Sequence, residues 1–290
     1  MPVDSELDRA CRRADTRAEA RSARSDRPPS PSSLVIASTR VLLAILIIIL
    51  GFYTELAAAP IAVRLVEGTA HGLLLVRSIS GEILGHGDFL QVVHPDRIES
   101  RLVLRFKDGS LHDENVAFSQ QGVFTMLRYR LVQRGPSFPE TLDAVLDRKT
   151  RSYKVQSTRQ GKEETLTGSI ELPPDAYNGM PPMLLKNLGS GATETVHIVA
   201  FTPKPRMIQL EMVPVGTQRL STGETARQGT RYALKPKLGA ALRAFATLLG
   251  KSPDDQECVI LTEDVPAFVR CDGPLYVKGP IWRIEMISPR

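Results

Sequence analysis

Histidine and carboxylate side chains occur close together in the first half of the chain, where His86, Asp88 and His112 fall on neighbouring predicted strands. Imidazole and carboxylate groups bind divalent metals, and such a site would support a metal-dependent hydrolase. Successive side chains of a strand point to opposite faces, so these groups converge on one ion only if a bulge interrupts a strand. Solvated strand and turn residues are therefore the simpler interpretation.

Other catalytic signatures are absent from the sequence. It contains no Gly-x-Ser-x-Gly elbow, no His-Glu-x-x-His helix, no Walker loop and no dinucleotide fingerprint. The sequence therefore predicts no cofactor and favours a protein that is not an enzyme. The net charge of +5 is spread over both signs, and no basic run is interleaved with aromatic residues, which argues against a nucleic-acid partner. Nothing in the sequence indicates an oligomeric state.

Cys258 and Cys271 are the only cysteines in the predicted domain, since Cys11 lies in the N-terminal leader. Residues 259–262 and 267–270 are typical of two strands around a turn at 263–266. Symmetric pairing about that turn places the two cysteines opposite each other, at a separation that a disulfide accepts. An oxidising compartment would then close the hairpin, and two buried thiols are the alternative.

Two strand-like segments carry apolar side chains at alternate positions, which predicts a shared apolar face. We expect this face to line a binding site for an apolar or amphipathic small molecule, although a filled core would have the same pattern. The lining candidates are Leu102, Leu104, Phe106, Leu127, Tyr129 and Leu131. In residues 202–206, two prolines hold Lys204 and Arg206 close together, where they could pair with an acidic head group; a solvated turn is the alternative.

Turn signals divide residues 60–290 into many short strands, as at Lys107-Asp108-Gly109-Ser110. Helical patterns are confined to residues 180–188 and 240–249, and Asp175 or Asn178 could cap the first of them. The predicted fold is mainly β, with a curved antiparallel sheet or partly closed barrel that packs one or two short helices.

The N-terminal part of the chain predicts export. Residues 1–32 form a polar, disordered leader, and residues 33–59 contain an uncharged run of 13 at 41–53, the length of a signal-peptide core. Cleavage would release the domain into the periplasm, whereas an uncleaved segment would anchor it in the cytoplasmic membrane. Both alternatives place residues 60–290 beyond that membrane.

Several short segments between residues 70 and 287 resemble a family of uncharacterised exported bacterial proteins. They are Gly85-His86-Gly87-Asp88, Phe106-Lys107-Asp108-Gly109-Ser110, Ser119-Gln120, Gly135-Pro136-Ser137-Phe138-Pro139, Leu172-Pro173-Pro174-Asp175, Leu184-Leu185-Lys186-Asn187, Thr202-Pro203-Lys204-Pro205-Arg206 and Gly279-Pro280-Ile281-Trp282-Arg283. That family is more remotely similar to periplasmic lipoprotein carriers, which implies a curved antiparallel sheet around an apolar cavity plugged by helices. The resemblance implies no catalytic residues.

These patterns support three hypotheses of different classes. The first is an exported domain that binds a lipid, an acyl chain or another amphipathic ligand on the concave face of the sheet. The second is an envelope interaction module without a small ligand, and an exposed strand edge would support it. The third is the metal-dependent hydrolase built on His86, Asp88 and His112.

Overall fold

A computed structural model of the chain describes residues 59–189, 191–201, 204–222, 225–237, 256–262 and 265–287. The polar leader, the apolar segment at 41–53 and the helix predicted at 240–249 lie outside these residues. Within them, no helix has the length and hydropathy that crossing a membrane requires.

Fourteen strands and one short helix form the described structure. The first eight strands are β1 (Ala70–Ser78), β2 (Ile83–Val93), β3 (Ile98–Phe106), β4 (Leu111–Gln121), β5 (Val123–Arg134), β6 (Thr141–Asp147), β7 (Ser152–Arg159) and β8 (Lys162–Ser169). After helix α1 (Pro181–Asn187) come β9 (Glu194–Phe201), β10 (Pro205–Thr222), β11 (Thr225–Lys237), β12 (Gln256–Leu261), β13 (Ala267–Gly273) and β14 (Trp282–Met286). The predicted mainly β, antiparallel architecture and the helix near residues 180–188 are confirmed. Strands β1 and β11 are additions that the sequence patterns did not predict.

All fourteen strands belong to one antiparallel sheet built from two meanders. Strands β1 to β8 follow one another across one half, β9 to β14 follow one another across the other, and β1 pairs with β14 at the junction. The sheet is therefore open between β8 and β9. The chain crosses from one edge to the other through residues 170–193, and this crossover contains α1.

The two edges of the sheet differ. Along β9, Asn178 bonds through its side chain to both the N–H and the carbonyl of Val199, at 2.8 Å each, and the backbones of Asp175 and Tyr177 bond to His197. The crossover therefore covers this edge. Strand β8 is exposed along almost its whole length and carries Lys162, Glu163 and Glu164, charges that discourage edge-to-edge association.

Helix α1 begins differently from the sequence expectation. Its N-cap is Met180, which makes no side-chain capping bond, and prolines occupy the first turn, where a missing N–H costs nothing. Asp175 and Asn178 serve the β9 edge instead of the helix. The sequence signal for a cap was wrong because the same short polar side chains can also satisfy a strand edge.

Two clusters of buried apolar side chains lie against the sheet. The first joins residues of β3 to β7 with residues of β9 to β13, the crossover and α1, so the sheet must curl to bring its two halves together. The second is smaller and consists of Leu74, Val76, Leu104, Phe106, Phe138, Trp282 and Ile284. We call the face that carries both clusters the concave face. Phe268 is partly buried and packs against both of them.

Residues 60–68 form a strap that binds the crossover to the sheet. The side-chain oxygen of Asn187 accepts hydrogen bonds from the backbone N–H groups of Arg64 and Leu65, at 2.8 and 2.7 Å. Glu67 is buried, and its carboxylate lies 2.7 Å from the ammonium nitrogen of Lys186 on α1. The Gln120 side chain bonds to the backbone N–H and carbonyl of Glu67. The strap thus fixes α1 against β4.

Candidate functional site

Strand register sorts the concave side chains of β1 to β5 into rows that run across the strands. Side chains two residues apart on one strand share a face, and directly opposed residues on neighbouring strands lie side by side. The central row follows the register and consists of Gly72, Phe89, Leu102, Glu114 and Leu131. It lies between two other rows of the same face.

The two flanking rows are buried. The first consists of Leu74, Gly87, Leu104, His112 and Gln133, and the second of Gln91, Ser100, Val116, Tyr129 and Leu146. No side chain of the second row is more than 4% exposed, and Leu104 of the first row has no exposed area. Val116, Tyr129 and Leu146 of the second row belong to the first cluster, and Leu74 and Leu104 of the first row belong to the second cluster.

The central row is more open than its neighbours. Gly72, Phe89, Leu102 and Glu114 are all partly exposed, although the register places them on the same face as the buried Leu104 and Val116. Only at Leu131 does the row become buried. We call the stretch formed by Phe89, Leu102 and Glu114 the central gap. It has two apolar side chains and a carboxylate as its floor, which is the composition of a site for an amphipathic molecule.

Glu114 and Tyr129 form a hydrogen-bonded pair at one end of the central gap. The Tyr129 hydroxyl donates to Oε1 of Glu114 at 2.6 Å. Burial raises the pKa of the Glu114 carboxyl, and the hydrogen bond from Tyr129 opposes this shift. Burial and the neighbouring Glu114 also raise the pKa of the Tyr129 hydroxyl well above its ordinary value. The phenol therefore stays protonated and acts as the donor.

The remaining walls of this end come from distant parts of the chain. The ring of Phe201, at the end of β9, lies parallel to the Tyr129 ring with 6.0 Å between centroids. Gly179 of the crossover approaches so closely that a Cβ there would lie 3.1 Å from the Tyr129 ring and 3.4 Å from the Glu114 carboxyl carbon. Its φ of +72° also favours glycine. The crossover and β9 thus hold the pair in place.

His112 lies in the buried flanking row beside the gap. Gln133 contributes Nε2 to a 3.0 Å bond with Nδ1 of His112 and donates to the carbonyl of Leu275 at 2.8 Å. Because an amide nitrogen can only donate, Nδ1 accepts and the proton of the neutral ring is on Nε2. Burial lowers the pKa of His112 to about 4. At neutral pH the ring is uncharged.

The structure distributes the apolar lining candidates over both buried and open positions. Leu102, in the central gap, is partly buried and packs with Phe89 against the second cluster, in which Leu104 and Phe106 are buried; Tyr129 and Leu131 are buried in the first. Leu127 differs from the expected alternation. It is the extra residue of a bulge, because Met126 pairs with Phe118 and Arg128 with Ala117. Met126 takes its place in the first cluster.

Lys204 and Arg206 are exposed at the connection between β9 and β10. Phe201, whose ring lies parallel to the Tyr129 ring, precedes them in the chain. Neither cation is buried.

The structure does not bring His86, Asp88 and His112 together. His86 is opposite Arg105 and Asp88 opposite Val103, and both side chains are exposed on the convex face, whereas His112 points into the concave face. Asp88 instead bonds to His71 at 3.0 Å. Among the described residues, no group of three or more histidine, cysteine, aspartate or glutamate side chains could hold a metal ion.

The convex face carries a shallow groove and a band of alternating charge. The groove holds about 340 Å³ and is lined by His86, Asp88, Leu90, Arg101, Val103 and Arg105. Arg101 makes two hydrogen bonds to Asp113, and Arg130 makes two to Asp143. These exposed pairs contribute little to stability.

Cys258 and Cys271 are directly opposed on β12 and β13, with 4.1 Å between their Cα atoms, and form a disulfide. Both side chains are buried in the first cluster. The bond links two strands of the half-sheet that faces β3 to β7.

Sequence reasoning missed Phe89, Phe201 and the role of Glu114. Glu114 was not among the lining candidates, because a carboxylate is not expected on an apolar face. Its position two residues after His112 on one strand was the available signal, since it predicts that both side chains share a face. Phe201 could not be found in this way because its contact with Tyr129 joins opposite halves of the sheet.

Comparison with known proteins gives no relative: no family model, no curated protein and no solved structure matches this chain.

Proposed function

We propose that residues 60–290 form an exported domain that binds an amphipathic small molecule in the central gap. The observation that carries this proposal is the partial exposure of the inward-facing Phe89 and Leu102 between two buried rows of the same sheet face. A ligand laid along the row would cover their apolar surface, and each Å² removed from water contributes about 25 cal/mol.

The chemistry of the gap favours a ligand with one polar end. Phe89 and Leu102 offer apolar contact, and Glu114 follows directly in the row. Small-molecule sites commonly combine an apolar lining with a few placed polar groups, and the Glu114–Tyr129 pair is such a group.

The flanking rows serve stability in this proposal. Leu104, Tyr129 and Leu131 are at most 7% exposed, so they have little surface left for a ligand to cover. Of the original lining candidates, Leu102 is the one in the gap. Phe89 and Glu114 replace the others as ligand contacts.

The cellular setting of the proposal rests on the sequence. The apolar run at 41–53 supports export to the periplasm, with the segment either cleaved or retained in the cytoplasmic membrane. The strap bonds directly to the sheet from Ile61 onward.

Photolabelling of the full-length chain in lipid nanodiscs tests the proposal. A dodecanol derivative that carries a diazirine should label peptides containing Phe89 or Leu102, and unlabelled dodecanol should compete. Leu102→Glu should reduce labelling by about tenfold or more, because an unpaired carboxylate in the gap disfavours an alkyl chain. Leu90→Glu is the matched control, since Leu90 is 44% exposed on the convex face. Absence of competable labelling, or equal loss in both variants, would refute the proposal.

One observation favours the alternative of an interaction module. The outer edge of β8 is exposed, whereas the β9 edge is covered by the crossover. An extended peptide could add to such an edge through backbone hydrogen bonds. Proline substitution at Thr165 should then abolish partner capture without reducing dodecanol labelling. The reverse result would support the ligand-binding function.

A further inference from the structure

We propose that the polar end of the ligand is a cationic amine and that the free carboxylate oxygen of Glu114 binds it. This inference rests on the proposed binding function and specifies the class of ligand. It predicts selectivity for an alkylammonium over an alkyl alcohol and over a fatty acid.

The two oxygens of Glu114 have different surroundings. Oε1 accepts the hydrogen bond from Tyr129 at 2.6 Å. Oε2 makes no hydrogen bond to any residue that the structure describes, and it is not among the fully buried polar atoms that lack a partner. The side chain remains partly exposed. One oxygen is therefore held in position, while the other has no hydrogen bond from a described residue and belongs to a partly exposed side chain.

No cation in the described part of the chain compensates Glu114. On its own strand, His112 shares its face and is neutral at neutral pH. On β5 the facing titratable group is Tyr129, which donates a hydrogen bond. Its other neighbours, Leu102 on β3 and Gly179 of the crossover, are uncharged. An ammonium group would supply the missing positive charge and a donor for Oε2.

Lys204 and Arg206 would favour a ligand with an acidic head group, which is the opposite selectivity to that of Glu114. Both are solvent-exposed, and ion pairs between exposed groups contribute little because water screens them. The Glu114 carboxyl is partly shielded from water, where a charge-assisted hydrogen bond contributes more. Ligand selectivity should therefore follow Glu114.

The raised pKa of Glu114 gives the inference a pH signature. Protonation removes the negative charge, so the preference for an ammonium ligand should weaken as the pH is lowered from neutral. Binding of a neutral alcohol should change far less. Tyr129 stays protonated across this range because its pKa is raised.

Competition against the dodecanol photoprobe tests the inference on the full-length chain in nanodiscs. Dodecylamine should displace the probe at a concentration about tenfold or more below that of dodecanoate, as expected for a charge-assisted hydrogen bond. Glu114→Gln should remove this preference while dodecanol labelling persists. Glu164→Gln, which removes the same charge from the exposed β8 edge, should keep it.

The outcomes distinguish a failure of the binding function from a failure of the amine inference. If the dodecanol probe does not label the wild-type chain, the binding function itself is refuted. If it labels but dodecanoate competes as well as dodecylamine, the amine inference alone is refuted and Lys204 and Arg206 become the better candidates. Because Glu114→Gln could disturb folding, the pH series on wild type is a second measurement. A preference for dodecylamine over dodecanol that does not change with pH would contradict the role of Glu114.

Discussion

The central row and its flanking rows share the same strands and the same sheet face, yet they differ in exposure. Phe89 and Leu102 remain partly exposed, whereas Leu104 and Tyr129, one row away on either side, are buried. Strand periodicity cannot cause this difference, because all of these side chains point inward. What differs is how completely other segments enclose each row, because Phe89 and Leu102 pack against the second cluster without being buried in it. An inward-facing position on a curved sheet becomes core only when another segment covers it.

Each flanking row has its own cover. In the first cluster, α1 and the crossover contribute Tyr177, Met180 and Leu184, none of which has exposed area. Over the second cluster, the Phe138 ring packs against Phe106 and Trp282 with centroids 5.9 and 6.0 Å apart. Both covers reach the central gap, since Phe89 and Leu102 pack against the second cluster and Gly179 of the crossover lies beside Glu114, yet the three gap residues stay partly exposed. Three substitutions would test this contrast between covered and open rows.

The largest effect is expected where the strap holds the crossover in place. Lys186→Met leaves the buried Glu67 carboxylate without its cation, which should destabilise the protein by about 3–5 kcal/mol. Arg130→Met is the matched control, because Arg130 and Asp143 form a pair that is 52% and 33% exposed, and it should cost less than about 1 kcal/mol. Chemical denaturation of both variants measures the difference. Similar losses of unfolding free energy in the two variants would show that the Lys186–Glu67 pair does not stabilise the protein more than an exposed pair does.

The next effect compares two leucines on one strand. Leu104→Ala removes a fully buried side chain and should destabilise the domain by about 2–5 kcal/mol. Leu102→Ala should cost clearly less, because Leu102 is partly exposed and leaves no closed cavity. The denaturant midpoints of the two variants would show which one is less stable, provided that the slope of the unfolding free energy against denaturant concentration is the same in both. An equal loss at both positions would indicate that the central row is filled core.

The smallest effect concerns pH and separates the fully covered His112 from the partly exposed Glu114. The folded-state pKa of His112 is lowered from 6.5 to about 4, so its contribution to stability is present above pH 6.5 and is lost as the pH falls towards 4. Between pH 7 and pH 5 this loss amounts to about 2 kcal/mol. The raised pKa of Glu114 acts in the opposite direction, since acidification removes a buried charge.

A variant comparison isolates the histidine. The stability difference between wild type and His112→Gln should shift by this amount between pH 7 and pH 5, because Glu114 is common to both proteins. A pH-independent difference for His112→Gln would mean that the ring is accessible to solvent and belongs to the open region.

Much of the fold could be predicted from local patterns. Alternating segments such as 101–106 became strands, and turn signals such as Lys107-Asp108-Gly109-Ser110 became hairpin connections. The helix near residues 180–188 was also predicted because its apolar side chains recur with helical spacing. These features depend on interactions within a few residues, which the sequence displays directly.

The sequence alone determined which side chains share a strand, and at Leu102, Leu104 and Phe106 that they share a face. Only the tertiary structure decided which of these positions are covered. The covering contacts join residues far apart in the chain, as Asn187 does with Arg64 and Phe201 with Tyr129. The bulge at Leu127 likewise depends on pairing between β4 and β5, which shifts the alternation within one strand. A period of two assigns a side chain to a face, but its burial depends on what packs against that face.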